Sequence, residues 1–150
     1  MSATPIYVMS GSYPGVPPIP TDTFDAIEAK LKRPTVLLVD DEKLIVETMT
    51  QILEGAGFSV IAASDGQAAF EKVAHCPPDY LLSDVLMPKM NGVELAIAIR
   101  KKYPATRILL FSGQAGISDI LLDGQRQGFE FDLIAKPLHP LKVIEHLKMP

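Results

Sequence analysis

Five short apolar runs punctuate this chain: TVLLV (35–39), FSVIAA (58–63), YLLS (80–83), RILLF (107–111) and FEFDLIA (129–135). Each is rich in aliphatic or aromatic residues and too short for a buried helix. Such runs suit strands, and a continuous one such as TVLLV suits a strand covered on both faces. The stretches between them carry helical spacing. From Lys43 to Ala56, residues Ile45, Met49, Ile52, Leu53 and Ala56 share one face, and Gly55 and Gly57 close the helix. Residues 65–75, 92–102, 117–127 and 140–148 read as four further helices. The 92–102 helix ends on Arg100, Lys101 and Lys102, which suits the negative end of its dipole. Strands alternating with helices imply a parallel sheet, helices on both faces and right-handed crossovers.

Residues 1–33 follow no such pattern. Six of the 13 prolines fall within residues 1–34, and SGSYPGVPPIP (10–20) has neither helical nor strand period. TDTFDAIEAKLK (21–32) carries a capping signal and apolar Phe24, Ile27 and Leu31, which predicts a short helix ended by Pro34. The expected organisation is a Pro-rich extension over 1–33 and one α/β domain over 34–150.

Composition narrows the function classes. The formal net charge of −4 argues against a nucleic-acid surface. No apolar run approaches the roughly 20 residues that span a bilayer, and the N-terminus lacks a signal-peptide pattern. The single Cys76 forms no internal disulfide, which suits a reducing, cytoplasmic setting. It reads as a small buried residue at a helix end, and His75 beside it as no partner in catalysis.

A parallel sheet collects the residues that follow its strands at one edge, where ligands of such sheets bind. The first strand is followed by Asp40, Asp41 and Glu42. The third ends at Asp84, the fourth at Ser112, and the fifth at Lys136 before Pro137. Clustered carboxylates need a cation. With oxygen ligands and no His or Cys set, that cation is Mg²⁺ or a similar ion. A carboxylate can also act as a nucleophile and form an aspartyl phosphate. Lys136 and the Ser112 hydroxyl supply the positive charge and the donor that phosphoryl transfer requires. Each residue has a plainer reading: Asp40 or Asp41 as a helix cap, Ser112-Gly113 as a turn, Lys136-Pro137 as a strand stop. Their conjunction over four strand ends favours the chemical reading. Glu42 reads as first-turn helix charge, and His75, His139 and His146 as surface or partly buried.

VLLVDDE, LLSDVLMPKMNG, LLFSGQ and LIAKP, in that order, make residues 34–148 resemble the receiver domains of bacterial two-component response regulators. The resemblance implies a flavodoxin-like (βα)5 fold with strand order 2-1-3-4-5. It implies a switch that takes a phosphoryl group from a histidine kinase, or from a phosphotransfer protein, onto Asp84. Asp41 would hold Mg²⁺ directly and Asp40 through water, with Asp84 and the Leu86 backbone carbonyl completing the protein ligands. Ser112 would be the switch hydroxyl, Lys136 the partner of the phosphoryl group, and Lys136–Pro137 a cis bond. Such a domain is not an enzyme on other substrates, since it catalyses only its own phosphorylation and slow dephosphorylation. A homodimer would form through the 117–127 helix, the fifth strand and the last helix. The chain departs from the common pattern at Leu133, where many relatives carry an aromatic residue, and at Leu86, where many carry a polar one. Gln114 remains polar. Two other readings compete: a receiver-fold adaptor that ignores phosphorylation, and a phosphatase resembling the haloacid dehalogenases. The second lacks the acid it needs at residue 86.

Overall fold

The computed structural model describes residues 33–113 and 117–148. The chain divides after Arg33 into two units, Met1–Arg33 and Pro34–Pro150. The helix expected over 21–32 lies outside the described residues, as does Gln114.

Five strands and five helices alternate: β1 (Thr35–Val39), α1 (Lys43–Gly55), β2 (Ser59–Ala63), α2 (Gly66–Lys72), β3 (Tyr80–Asp84), α3 (Gly92–Lys102), β4 (Arg107–Ser112), α4 (Ser118–Arg126), β5 (Asp132–Ala135) and α5 (Pro140–Lys148). All strand pairs are parallel, and the sheet runs β2-β1-β3-β4-β5. This is the flavodoxin-like order. Alternate side chains of the central strands feed two cores. Leu37, Val39, Leu81 and Leu110 face Ala69 of α2, with Leu95 and Ile99 of α3. Val36, Leu38, Leu82, Leu109 and Phe111 face Met49 and Leu53 of α1, with Val143 and Leu147 of α5. No helix among the described residues is long and apolar enough to cross a membrane.

Local chemistry sets the helix starts near the site. Asn91 caps α3 through a reciprocal box: its side chain accepts from the Glu94 N–H at 2.8 Å, and Glu94 accepts from the Asn91 N–H at 2.9 Å. Asp65 caps α2 by accepting from Ala68 N–H. Neither Asp40 nor Asp41 caps α1. The cap position belongs to Glu42, whose side chain makes no capping bond. The plain reading of the two aspartates as helix caps therefore fails, and both remain available to the edge.

Three expectations need correction. The second helix stops at Lys72 instead of residue 75, because Val73 already has non-helical backbone angles. The chain beyond it runs along the surface toward Pro77-Pro78, so Cys76 is exposed and not buried. The fifth strand begins at Asp132 instead of residue 129. Phe129 and Phe131 lie before it with rings stacked at 6.2 Å, packed against the core beneath α3. Both rings are partly buried, and the ladder with β4 begins only at Asp132.

Gly92 is fixed by close approach. A Cβ there would meet the Asp84 carbonyl oxygen at 2.1 Å, and the Gly92 N–H donates to the Val85 carbonyl at 2.8 Å. The obstructing atoms are backbone and cannot swing away. Gly92→Ala is expected to lose roughly 1–3 kcal/mol through overpacking, more than the ~1 kcal/mol that alanine gains in helix propensity. A denaturant midpoint equal to wild type would show that the β3–α3 turn yields easily.

Candidate functional site

The parallel register brings the strand ends together. Val39 pairs with Ser83, Asp84 with Phe111, and Ser112 with Ala135. One step further along β1 and β5 lie Asp40 and Lys136. Asp40, Asp84 and Ser112 are all buried. A cavity of about 270 Å³ opens above them, lined by Asp41, Glu42, Asp84, Leu86, Ser112, Gly113 and Lys136.

The Lys136 ammonium is the centre of the charge pattern. Its Nζ donates to Asp84 Oδ2 at 3.1 Å and to Glu42 Oε1 at 3.3 Å, and lies 3.5 Å from Asp40 Oδ2. It also sits 5.3 Å from the centroid of the buried Phe111 ring. The Leu86 backbone N–H donates to Asp84 Oδ1 at 3.3 Å. Both Asp84 oxygens are thus held, one by the lysine and one by the following loop. The Lys136–Pro137 bond is cis.

Burial pushes Asp40 up to about 6 from 3.8. The Glu42 N–H, which donates to Asp40 Oδ1 at 2.9 Å, and the Lys136 charge oppose this rise, while the Asp84 charge adds to it. Burial alone would lower the Lys136 ammonium. The hydrogen bond to Asp84 and the charges of Asp40 and Asp84 outweigh it and hold the ammonium above its ordinary value.

Two observations bear on a cation. Oxygen atoms of Asp40, Asp41 and Asp84 lie within 4.8 Å of one another. Asp40 Oδ2 is buried and accepts no hydrogen bond among the described residues. A buried carboxylate oxygen without a donor is costly unless a positive charge answers it. Lys136 answers it in part, at ion-pair distance only. The all-oxygen donor set fits a hard divalent ion such as Mg²⁺.

Every strand-end residue singled out in the sequence reaches this edge: Asp40, Asp41, Asp84, Leu86, Ser112 and Lys136. The sequence places Glu42 at this edge only as first-turn helix charge. It occupies the cap position of α1 instead of the first turn, and it pairs with Lys136, 94 residues away. No local signal marks that pairing. His75, His139 and His146 are exposed. Leu133, three residues before Lys136, is 42% exposed on the edge strand.

An open parallel sheet with acids, a hydroxyl and a lysine at its carboxyl edge defines a doubly wound α/β protein built around a small acidic site. The family model of the response regulator receiver domain matches residues 36–148, and the chain belongs to that family. It is 34% identical to the alkaline phosphatase synthesis transcriptional regulatory protein PhoP of Bacillus subtilis over 75% of this chain and 46% of that protein. It is 33% identical to the chemotaxis protein CheY of Thermotoga maritima over 75% of this chain and 92% of that one. The DNA-binding response regulator MtrA of Mycobacterium tuberculosis is 29% identical over 77% of this chain and 50% of its own length. The chain thus spans about half the length of PhoP and MtrA. Among solved structures, a CheY-like receiver domain protein from Methanospirillum hungatei superposes with a TM-score of 0.70 at 26% identity, covering 78% of this chain and 92% of that chain.

Proposed function

We propose that Asp84 is the phosphoryl acceptor of a two-component switch, supplied by a histidine kinase or a phosphotransfer protein. The observation that carries this reading is the hold on both Asp84 oxygens, by Lys136 Nζ at 3.1 Å and Leu86 N–H at 3.3 Å, at the floor of the cavity. An Asp84 oxygen attacks phosphorus, a P–O bond forms, and the donor's P–N bond breaks as imidazole leaves with a proton. Lys136 and Ser112 face the negative charge that spreads over the transferring oxygens. Asp40, Asp41 and Asp84, with the Leu86 carbonyl, would hold Mg²⁺. When bound, that ion supplies further positive charge to the phosphoryl oxygens. The domain acts on no other substrate, and its output is a change of partner.

The surface of α4, β5 and α5 is the proposed reporting face. Ser112 and Lys136 lie at its root, and a phosphoryl group that draws them inward shifts an equilibrium already present there. Of the four large apolar side chains exposed among the described residues, Leu122, Leu133 and Leu141 belong to these three elements. A homodimer or another partner on this face would cover them. The reading is tested by intact-mass measurement after treatment with acetyl phosphate and Mg²⁺. A single stable phosphoryl group supports the switch, rapid turnover supports a phosphatase, and no reaction supports an adaptor.

Leu86 bears on how long the signal lasts. Hydrolysis needs a water in line with the Asp84–phosphoryl bond. Leu86 lines the cavity and offers that water neither donor nor acceptor. Leu86→Asn is expected to speed decay of the phosphorylated protein by roughly tenfold, less than the ~10²-fold or more that a positioned general acid or base contributes, because an amide only orients the water. An unchanged decay rate would show that water access does not limit this site.

A further inference from the structure

Glu42 is the one acid at this edge that belongs to neither the candidate cation cluster nor the phosphoryl acceptor. Its neighbours Asp40 and Asp41 join the cluster with Asp84, and Glu42 does not. It is nevertheless held. Its Oε1 lies 3.3 Å from Lys136 Nζ, and its backbone N–H is fixed by Asp40 Oδ1 at 2.9 Å. The Glu42 side chain is 61% exposed, whereas Lys136 is 18% exposed and Asp84 9%. The ammonium therefore spans from the buried floor to a carboxylate at the mouth of the cavity that both residues line.

We infer that Glu42 is a positioning residue that tethers Lys136 at the mouth of the site in the resting state and competes with an incoming phosphoryl group for its ammonium. This rests on the reading of Asp84 as the acceptor. Lys136 has three protons to donate and already contacts three carboxylates. A phosphoryl group on Asp84 adds new oxygens that need the same donors, so one existing partner must give way. Asp40 is fully buried, and its Oδ2 has no hydrogen bond to replace the lysine contact. Glu42 reaches water and loses least by release. The tether thus sets a threshold: the resting site is closed by an internal anion, and an external one must displace it. Glu42 also adds negative charge where an anionic phosphodonor enters.

The test uses the full chain and two charge-matched variants, Glu42→Gln and Glu47→Gln. Glu47 is an exposed residue of α1 that pairs with Lys43 at 3.8 Å and takes no part in the cavity. NMR of lysine side-chain ammonium groups in the metal-free protein reads the tether directly. A slowly exchanging Lys136 ammonium signal is expected in wild type and in Glu47→Gln, and a broadened or shifted one in Glu42→Gln. Beryllofluoride with Mg²⁺, a phosphoryl mimic, reads the competition. Glu42→Gln is expected to bind it roughly twofold to fivefold more tightly than wild type, the range set by a partly exposed ion pair, and Glu47→Gln to match wild type. Equal tightening in both variants would reduce the effect to general charge and overturn the tether, as would an unchanged Lys136 signal in Glu42→Gln. If wild type fails to bind beryllofluoride, the assignment of Asp84 falls, and the metal-free spectra still decide whether Glu42 holds Lys136.

Discussion

Asp84→Asn is expected to take up no phosphoryl group from acetyl phosphate and Mg²⁺ under conditions that fully label wild type. The change removes the anionic oxygen that attacks phosphorus and leaves an amide of nearly the same shape. Most of the surroundings persist, since Lys136 keeps Glu42 at 3.3 Å and Asp40 at 3.5 Å. The variant should therefore fold, which circular dichroism checks. The alternative acceptors are close, because Asp41 is exposed and contributes an oxygen to the same cluster. Full labelling of Asp84→Asn, traced by peptide mass to Asp41 or another residue, would move the acceptor and sink the assignment. The contrast is large because Asp84 lines the cavity with one oxygen hydrogen-bonded to the Leu86 N–H and the other to the Lys136 ammonium, whereas Asp40 meets that ammonium at ion-pair distance only and does not line the cavity.

The second large effect concerns Asp40. Burial raises its folded value to about 6, above the 3.8 of an exposed aspartate. Between these values the folded protein holds a proton that the unfolded chain has released. Its contribution to stability therefore declines as pH rises from about 4 to 6 and is flat above that. The rise corresponds to a cost of about 3 kcal/mol at neutral pH, at roughly 1.4 kcal/mol per tenfold change. Without divalent ions, Asp40→Asn is expected to be more stable than wild type at pH 7 by about 1–3 kcal/mol. The advantage should shrink toward pH 4. Asparagine retains the acceptor for the Glu42 N–H, which Asp40 Oδ1 now serves at 2.9 Å. Adding Mg²⁺ should reverse the comparison in part. At about ten times its dissociation constant it stabilises wild type by roughly 1.4 kcal/mol, and the variant by much less. Thermal melts from pH 4 to 7, with and without Mg²⁺, carry both readouts. A wild-type curve that runs parallel to that of Asp40→Asn across this range would mean that Asp40 keeps an ordinary titration when folded.

The sheet and the residues at its carboxyl edge were legible because each is a local fact. Val36–Val39 and Tyr80–Leu82 are unbroken hydrophobic stretches, so they announce buried strands, and the acid that closes each segment, Asp40 or Asp84, marks the edge. The LIAKP segment places a lysine at such an end without reference to the rest of the chain. Where the local signal is weak, the boundaries shifted. FEFDLIA reads as one continuous strand, yet only Asp132–Ala135 enters the ladder, while Phe129 and Phe131 pack, partly buried, against the core that α3 also covers. Cys76 looked buried because it is small and follows a helix, but Val73 ends the helical backbone early and leaves Cys76 at the surface.

The sequence by itself determined the alternation of periods, the class of sheet, and which residue types stand where the strands end. Only the tertiary structure decided how those residues share charge. Asp40 and Asp41 are adjacent in the chain, yet one is fully buried and the other exposed. Glu42 stands at the cap position of α1, and its side chain is held because Lys136 arrives beside it from the far edge strand. Burial and charge pairing depend on distances between segments nearly a hundred residues apart. A parallel sheet fixes those distances through its strand order, and no run of neighbouring residues encodes them.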